Sequence, residues 1–262
     1  MAEETRASTR LDGRVAIVTG ASRGIGRAIA LHLASLGASL VLNYTSSSAL
    51  AENLANHINS SAPNAPSRAI AVRASVADSA QVKALFDQAE AAFGAPIHIL
   101  VHSAGVLDDR YPTLANMPEE DWDRMFDVNA KGSFLCCKEA ANRLKRGGGG
   151  RIICLSTSAI GGLPPGYSAY AASKAAVETM IRILAKELKG TQITANCVAP
   201  GPIATDMFFA GKSQETVQRA IDMCPLGRLG ESEDVAPIVG LLASDAGEWI
   251  NGQAIRVNGG YV

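Results

Sequence analysis

Short apolar segments alternate with longer amphipathic segments along most of the chain. The apolar segments are rich in Val, Ile and Leu, which is typical of strands that are buried on both faces of a parallel sheet. The predicted strands span residues 15–19, 39–43, 69–73, 97–102, 151–155, 193–198 and 254–257.

The amphipathic segments predict helices, since their apolar residues recur at the spacing of one helix face. The predicted helices span residues 27–36, 49–59, 79–93, 119–144, 168–189, 214–223 and 234–243. Asp78 and Asp234 are placed where a carboxylate can cap a helix or stabilise its first turn. Strands that alternate with helices indicate an α/β fold, with a doubly wound, mostly parallel sheet of about seven strands and helices on both faces.

The chain has the length and composition of one enzyme-sized domain. Its 262 residues are 47% hydrophobic, which is enough to bury a full core. We therefore predict a flexible polar tail over residues 1–10 and one folded domain over residues 11–262.

Charge and hydropathy exclude several classes of partner. The formal net charge of −1 gives no electrostatic case for nucleic acid or an anionic membrane. No apolar segment approaches the ~20 residues that span a bilayer. The five cysteines include no CxxC pair, so they are predicted to be reduced packing residues, neither disulfides nor metal ligands. The first ten residues are too short for a transit peptide and lack the apolar core of a secretion signal. We therefore expect a cytoplasmic protein, with a plastid form left open if the chain is a shortened one.

A glycine-rich turn follows the first predicted strand. Gly20, Gly24 and Gly26 have a G-x3-G-x-G spacing just before the helix predicted over 27–36, and Gly37 is placed to end that helix. Glycines at such a turn let backbone N–H groups approach a pyrophosphate at the helix N-terminus, where the partial positive charge favours an anion. A purely structural turn is the alternative, because the spacing differs from the commonest G-x-G-x-x-G pattern.

A tyrosine and a lysine lie one helical turn apart near the middle of the chain. Tyr170 and Lys174, within the predicted helix 168–189, share a helix face. A phenol held beside an ammonium group is a proton donor or acceptor tuned towards neutral pH, which carbonyl chemistry needs. Combined with a turn suited to a dinucleotide, this pair predicts an oxidoreductase.

Together these motifs resemble the short-chain dehydrogenase/reductase family, in its single-domain main branch. The matching positions, in the family's order, are Thr19-Gly20-x3-Gly24-x-Gly26, His102-Ser103-Ala104-Gly105, Asn129, Tyr170-x3-Lys174 and Pro200-Gly201. Residues 134–140, 183–190 and 193–205 are most similar to plant aldehyde-reductase-like proteins that use NADPH. The resemblance implies a Rossmann-type fold and NADPH-dependent reduction of a small aldehyde or ketone.

The resemblance also implies roles for three polar side chains. Tyr170 would protonate the carbonyl oxygen while the nicotinamide supplies hydride, and Lys174 would lower the pKa of the phenol. Moving a phenol pKa from ~10 to ~7 takes ~4 kcal/mol, which one positive charge ~4 Å away supplies at an effective dielectric of ~20. Asn129 would hold a water that links Lys174 to solvent, unless it is a helix-kink or capping residue.

A further catalytic hydroxyl is expected just after the strand predicted over 151–155. The family places a Ser there, usually the second of a Ser-Ser pair, whereas this chain has Ser156-Thr157-Ser158. Ungapped spacing to Tyr170 favours Thr157, a slip of one residue would select Ser158, and Ser156 is the third candidate.

The resemblance further implies which residues bind the cofactor. NAD-binding relatives end the second strand with an acid that binds the ribose, but residues 43–48 contain no acid. Arg23 could instead bind a 2′-phosphate, or be a solvated surface residue, so NADPH is preferred to NADH. Ser75 stands where relatives usually have an adenine-binding Asp, and His102-Ser103 replaces a usual Asn pair. The expected cofactor-binding residues are Gly20, Ser22, Arg23, Gly24, Ile25, Gly26, Tyr44, Thr45, Ser46, Ser75, Val76, Ser103, Ala104, Gly105, Tyr170, Lys174, Pro200, Gly201, Ile203 and Thr205.

The substrate pocket is expected to come from loops at the carboxyl ends of the strands. Candidate walls are residues 106–107, residues 160–167 and a lid over residues 202–225, whose aromatic residues suit an apolar carbonyl compound. Phe208 and Phe209 could instead pack the lid onto the core.

Two helices are predicted to be apolar around more than one face, those containing residues 134–141 and 168–189. Since the sheet can cover only one face, they indicate a homotetramer, or a homodimer. Burial of the second face under this chain's own loops is the alternative. Two other activities stay open: oxidation or epimerisation of an alcohol on the same fold, and binding of NADP without turnover. The presence of both Tyr170 and Lys174 argues against the second.

Overall fold

Seven parallel strands form one sheet in the order β3-β2-β1-β4-β5-β6-β7. The structure is a computed structural model that describes residues 8–61 and 68–262. The strands are β1 Val15–Thr19, β2 Ser39–Tyr44, β3 Ala69–Arg73, β4 Ile97–His102, β5 Arg151–Leu155, β6 Thr194–Pro200 and β7 Ala254–Val257. The seven predicted strands and the parallel α/β sheet are confirmed.

Helices cover both faces of the sheet. Within the described residues they are α1 Gly24–Ser35, α2 Ser48–Ser60, α3 Ser79–Phe93, α4 Glu119–Phe126, α5 Gly132–Arg143, α6 Ala159–Gly162, α7 Ser168–Glu187, α8 Asp206–Phe209, α9 Gln214–Asp222 and α10 Ser232–Ala243. In this part of the chain no helix combines the length and apolarity needed to cross a bilayer.

The core has two layers, one on each side of the sheet. Alternate residues of β1 point to opposite sides, so that Ala16 and Val18 pack with α1 and α10 while Ile17 packs with α3, α5 and α7. Nearly every residue of β1, β4 and β5 is buried, which explains why these strands are continuously apolar in sequence. Because these strands are buried on both faces, their register is fixed, and so are the positions of their ends. The residues at the carboxyl ends of the strands form the site described below.

Helix boundaries follow the predicted capping residues. The Asp78 carboxylate accepts from the N–H groups of Ala80 and Gln81 at the start of α3. Asp234 accepts from the N–H of Glu231 at the start of α10. Gly37 follows the last turn of α1 with a φ of 109°, a conformation that favours glycine.

The helix predicted over residues 119–144 is not continuous. A π-helical turn, Asp127–Lys131, separates α4 from α5, and Asn129 lies buried within it. The sequence gives no sign of such a turn, because these five residues include neither Pro nor Gly. The short helices α6 and α8 were also not predicted.

Only the end of the predicted tail is described, since residues 1–7 lie outside the described residues. The Ser8 carbonyl accepts from the N–H of Ala246 at 3.3 Å. Arg10 pairs with Asp12 at 2.7 Å, and both side chains are exposed. The described part of the tail therefore lies against the domain.

Candidate active site

A cavity of about 1110 Å³ opens at the carboxyl edge of the sheet, where the strand order reverses between β1 and β4. Ligands of doubly wound sheets bind in this crevice. All of the predicted cofactor-binding residues line it, together with Ser156 and Thr157, whereas Asn129 and Ser158 lie behind its wall.

The glycine turn is built for close approach of one backbone to another. A Cβ on Gly26 would lie 2.3 Å from the carbonyl oxygen of Gly20, and Gly20 itself has a φ of 63°. The Thr19 hydroxyl accepts from the N–H groups of Ser103 and Ala104, both at 3.1 Å, which joins this turn to the end of β4. The first N–H groups of α1 therefore face the cavity without side chains between them, as a pyrophosphate requires.

The second strand ends without an acid in the cavity. Asn43 is buried, and its amide donates to the carbonyl oxygens of Val72 and Ala74, so it ties β2 to β3. The cavity wall continues with Tyr44, Thr45 and Ser46.

The guanidinium of Arg23 stands at the mouth of this end of the cavity. It is 67% exposed, and the nearest carboxylate, Asp206, is 3.8 Å away and 83% exposed. An ion pair that is this exposed to solvent contributes little to stability. A cation in this position beside an acid-free strand end fits NADP(H), because a 2′-phosphate needs a positive partner.

Tyr170 and Lys174 project from α7 towards the ends of β4 and β5. The Lys174 ammonium is buried and donates to the carbonyl oxygen of Leu155 at 2.8 Å. A Cβ on Gly105 would lie 3.4 Å from Lys174 Nζ, so glycine at this position leaves room for the ammonium. The Thr157 hydroxyl lies beside the Tyr170 hydroxyl, and hydrogen bonding by Thr157 lowers the pKa of the phenol.

Burial shifts both groups of the pair towards their neutral forms. It raises the pKa of Tyr170 to about 12, and the bond from Thr157 only partly opposes this shift. It lowers the pKa of Lys174 to about 8. The predicted phenol pKa near 7 is therefore not found, because desolvation by burial raises the pKa of Tyr170. A protonated phenol is the form needed to donate a proton to a carbonyl oxygen.

The three candidate hydroxyls have different surroundings. Ser158 is buried; its hydroxyl donates to the carbonyl oxygen of Ala199 at 2.9 Å and accepts from Asn258 at 3.0 Å. The Ser156 hydroxyl donates to Glu178 at 2.7 Å. The Thr157 hydroxyl faces the cavity beside Tyr170 and accepts from the N–H of Ala159 at 3.1 Å.

Asn129 fastens the loop after β4 to the π turn. Its amide oxygen accepts from the N–H of Val106 at 2.8 Å, and its amide nitrogen donates to the Val106 carbonyl at 2.9 Å. The same nitrogen donates to Ser173, whose hydroxyl in turn donates to the Tyr170 carbonyl. A Cβ on Gly105 would lie 3.3 Å from the Asn129 oxygen, so this oxygen and the Lys174 ammonium face the same small space.

Sequence reasoning missed Tyr111, which forms an aromatic wall beside the catalytic pair together with Tyr167 from the wall predicted over residues 160–167. Tyr111 stacks on Tyr167 with ring centroids 5.2 Å apart, and Tyr167 meets Tyr170 edge to face at 6.1 Å. Lys212 from the predicted lid lies against Tyr111. Tyr167 precedes Tyr170 by almost one helical turn, which was an available signal, but nothing local links Tyr111 to Lys212.

Comparison with known proteins identifies the family. A family model described as enoyl-(acyl carrier protein) reductase matches residues 20–262. An NADPH-dependent aldehyde reductase-like chloroplastic protein from Arabidopsis thaliana is 63% identical over 257 residues, covering 96% of this chain and 95% of the relative. A short-chain type dehydrogenase/reductase from Picea abies is 60% identical over 254 residues, covering 96% and 93%. This chain belongs to the short-chain dehydrogenase/reductase family.

Two further likenesses bear on the cofactor. NADPH-dependent aldehyde reductase 2, a chloroplastic protein of Arabidopsis thaliana, is 56% identical over 257 residues, covering 95% of this chain and 94% of the relative. A short-chain dehydrogenase from Burkholderia cenocepacia, solved in complex with NADP, is 35% identical with a TM-score of 0.88, covering 96% and 99%. The predicted family and the predicted use of NADP(H) are thus confirmed.

The predicted location is wrong. The sequence analysis expected a cytoplasmic short-chain dehydrogenase/reductase, but the relatives that are 63% and 56% identical are both chloroplastic proteins. The error came from the short polar start of the chain, which was interpreted as lacking a targeting signal.

The buried ammonium of Lys174 predicts a pH-dependent stability. The unfolded chain keeps this proton up to about pH 10.5, whereas the folded protein releases it near pH 8. Between these values the unfolded state binds more protons, so the free energy of unfolding rises with pH. Relative to Lys174→Met, which cannot titrate, the cofactor-free wild type should gain on the order of 1 kcal/mol per pH unit in this window.

Urea unfolding at a fixed protein concentration, at pH 7, 8, 9 and 10, measures this difference. Lys186→Met, at the exposed end of α7, is the matched control and should leave the pH dependence of wild type unchanged. A constant difference between wild type and Lys174→Met would contradict the burial argument.

Proposed function

We propose that this protein reduces an aldehyde or ketone to an alcohol with NADPH as the hydride donor. The observation that carries the proposal is the meeting of Thr157 and Tyr170 in the cavity that the glycine turn opens. When bound there, NADPH supplies the hydride. The names of the 63% and 56% identical relatives support this reaction and a plastid setting.

Each polar residue at the inner end of the cavity has a distinct part in the proposed reaction. Tyr170 donates the proton to the carbonyl oxygen, since its pKa keeps the phenol protonated until the acceptor becomes basic. Thr157 positions the same oxygen by a second hydrogen bond. Lys174, fixed by the Leu155 carbonyl, stabilises the phenolate that remains and then returns a proton to it.

Thr157 is preferred over its neighbours because its hydroxyl alone among the three faces both the cavity and Tyr170. The Ser158 hydroxyl is occupied by the Ala199 carbonyl and the Asn258 amide. We assign Asn129 a positioning role through Val106 and Ser173, and the proposed water relay from Lys174 would start beside it.

The segment 202–225 is proposed to be the lid over the substrate. Met207 and Phe208 line the cavity, as do Thr216 and Met223 further along the segment. Phe209 does not line it and is 46% exposed, so it packs neither the lid onto the core nor the substrate. An apolar wall with few polar groups suits a carbonyl compound with a hydrocarbon part.

A substrate panel tests the proposed function directly. Purified protein with NADPH should consume the cofactor in the presence of aldehydes or ketones and form the matching alcohols. An enoyl thioester serves as the control for reduction of a carbon–carbon double bond, which the description of the matching family model suggests. Turnover of the thioester without turnover of any carbonyl compound would overturn the proposal. Oxidation of alcohols alone would favour the oxidative reaction, and no turnover would favour a silent NADP-binding protein.

The hydroxyl assignment predicts a graded loss of activity. Thr157→Val should lower kcat on the order of 10²-fold, because it removes one donor to the developing oxyanion. Thr157→Ser should keep most of the activity. Ser158→Ala should lower kcat less than Thr157→Val does, since the Ser158 hydroxyl holds the C-terminal loop. Steady-state kinetics on one aldehyde would reverse the assignment if Ser158→Ala were the more damaging.

The Arg23 guanidinium predicts the source of cofactor preference. Wild type should favour NADPH over NADH in kcat/KM, and Arg23→Ala should reduce that ratio chiefly by raising the KM for NADPH. Arg27→Ala is the matched control, because Arg27 is exposed on α1, four residues after Arg23, and does not line the cavity. An unchanged ratio in Arg23→Ala would remove this residue from the cofactor site.

We also propose that the protein is a homotetramer. Phe134 on α5 and Ile183 on α7 are 49% and 52% exposed, although the opposite faces of both helices pack on the sheet. Two apolar helices side by side can pack against a second copy around a two-fold axis.

Light scattering at low micromolar concentration should give about four times the chain mass of 27.2 kDa. Ile183→Asp should dissociate the assembly, whereas Leu50→Asp, an equally exposed apolar position on α2, should not. A wild-type mass near that of one chain would contradict the proposal.

A further inference from the structure

The side chain of Lys212 lies in a cage of aromatic rings at the substrate end of the cavity. Its Nζ is 4.3 Å from the centroid of the Tyr111 ring and 4.6 Å from that of Phe208. The Tyr167 ring is 5.7 Å away. Aromatic faces attract a cation, and they do so more strongly where water is excluded.

The charge of Lys212 has no acidic partner in the described part of the chain. Its ammonium donates to two neutral acceptors, the carbonyl oxygen of Phe208 at 2.6 Å and the hydroxyl of Tyr111. An ammonium group has three donors, so one remains for a ligand. Burial lowers the pKa of Lys212 to about 8, which leaves most of it charged at neutral pH. Cations held away from water usually have an anionic partner.

Contacts that do not involve Lys212 also hold the lid in place. The Tyr111 hydroxyl donates to the carbonyl oxygen of Ala210 at 3.0 Å. Gly211 approaches the Asp109 backbone so closely that a Cβ would lie 1.7 Å from the Asp109 oxygen. These two contacts attach the start of the lid to the loop after β4 without the ammonium. The lid is therefore attached here by contacts that do not depend on the charge of Lys212.

One small molecule can reach both Lys212 and the catalytic hydroxyls. The Tyr167 ring touches both ends of this path, since its centroid is 5.7 Å from Lys212 Nζ and 6.1 Å from the centre of the Tyr170 ring. Tyr167, Tyr170, Thr157 and Lys212 all line the same cavity.

The other cations that line this cavity are engaged elsewhere. Lys174 is bound by the Leu155 carbonyl, Arg23 stands at the proposed nucleotide phosphate, and Arg219 pairs with Glu215. An anionic group at the substrate end would therefore meet Lys212.

We propose that Lys212 binds a carboxylate of the substrate, so that the preferred substrates are oxo acids with an aldehyde or ketone carbon near Tyr170 and a carboxylate at the other end. This proposal rests on the proposed carbonyl reduction and adds its substrate class. A charge-assisted hydrogen bond inside an aromatic cage is stronger than one in water. The hydrocarbon chain between the two groups would lie along the Tyr111 and Tyr167 rings.

Matched pairs of substrates test the proposal. Unbranched ω-oxo acids of four to eight carbons are compared with neutral aldehydes of the same length, and the ratio of the two kcat/KM values is measured. Wild type should prefer the oxo acid for at least one length. Lys212→Met, which keeps the stem and loses the charge, should lower that ratio about 10- to 100-fold, mainly through the KM of the oxo acid. Lys212→Arg should restore part of it.

Arg219→Met is the matched control, because it removes another lid cation that lines the cavity but pairs with Glu215. It should change the ratio by less than about threefold, as expected for an exposed ion pair. A wild type that prefers the neutral aldehyde at every length would overturn the proposal. So would equal losses on both substrates in Lys212→Met, which would make the residue a structural part of the lid.

Calorimetry separates this proposal from the proposed function. If no carbonyl compound is reduced, carbonyl reduction fails as the function. Binding of hexanoate to the protein in complex with NADP⁺ still tests whether Lys212 forms a carboxylate site. Hexanoate binding that Lys212→Met weakens at least tenfold supports the site. Absence of binding to wild type, or binding equal in Lys212→Met, overturns it.

Discussion

The arrangement of the active site depends on the hydrogen bond from the Lys174 ammonium to the Leu155 carbonyl at 2.8 Å. This bond ties α7 to the end of β5, and the next residues of the chain include Thr157. Tyr170, one turn earlier on α7, is thereby held against the Thr157 hydroxyl. Because the ammonium is buried, the link lies in a medium of low dielectric, where one misplaced group costs far more than in water. The carbonyl oxygen of Leu155 thus connects the sheet, α7 and the catalytic side chains.

The cavity divides into a polar end and an aromatic end with different physical demands. At the nucleotide end, glycines remove side chains so that backbone N–H groups face a phosphate. At the substrate end, aromatic side chains line the cavity and lower the local dielectric, which raises the strength of each polar contact there. Tyr170 lies where the nucleotide end and the substrate end of the cavity meet. Its high pKa follows from the exclusion of water, and it favours donation of a proton over removal of one.

Sequence patterns were sufficient for the sheet, the glycine turn and the Tyr170–Lys174 pair, because each depends on local spacing. They failed where distant residues decide. Asn129 in the π turn hydrogen bonds to Val106, 23 positions earlier, and Lys212 meets Tyr111 across 101 positions. The pKa of the Tyr170 phenol was predicted in the wrong direction because spacing along the chain does not report burial, which raises that pKa. Location was missed because the prediction relied on the first ten residues alone, whereas the 63% and 56% identical relatives are chloroplastic proteins.

The substitution Tyr170→Phe, which removes only the phenol oxygen, tests the central claim that Tyr170 is the proton donor of a carbonyl reductase. Single-turnover reduction of a carbonyl substrate by the NADPH complex should slow by at least ~100-fold in Tyr170→Phe, the range expected for loss of a general acid. NADPH binding, measured by fluorescence in the same samples, should stay within about threefold of wild type, since the ring and its packing on Tyr167 remain. Retention of more than about a tenth of the wild-type rate would contradict the account.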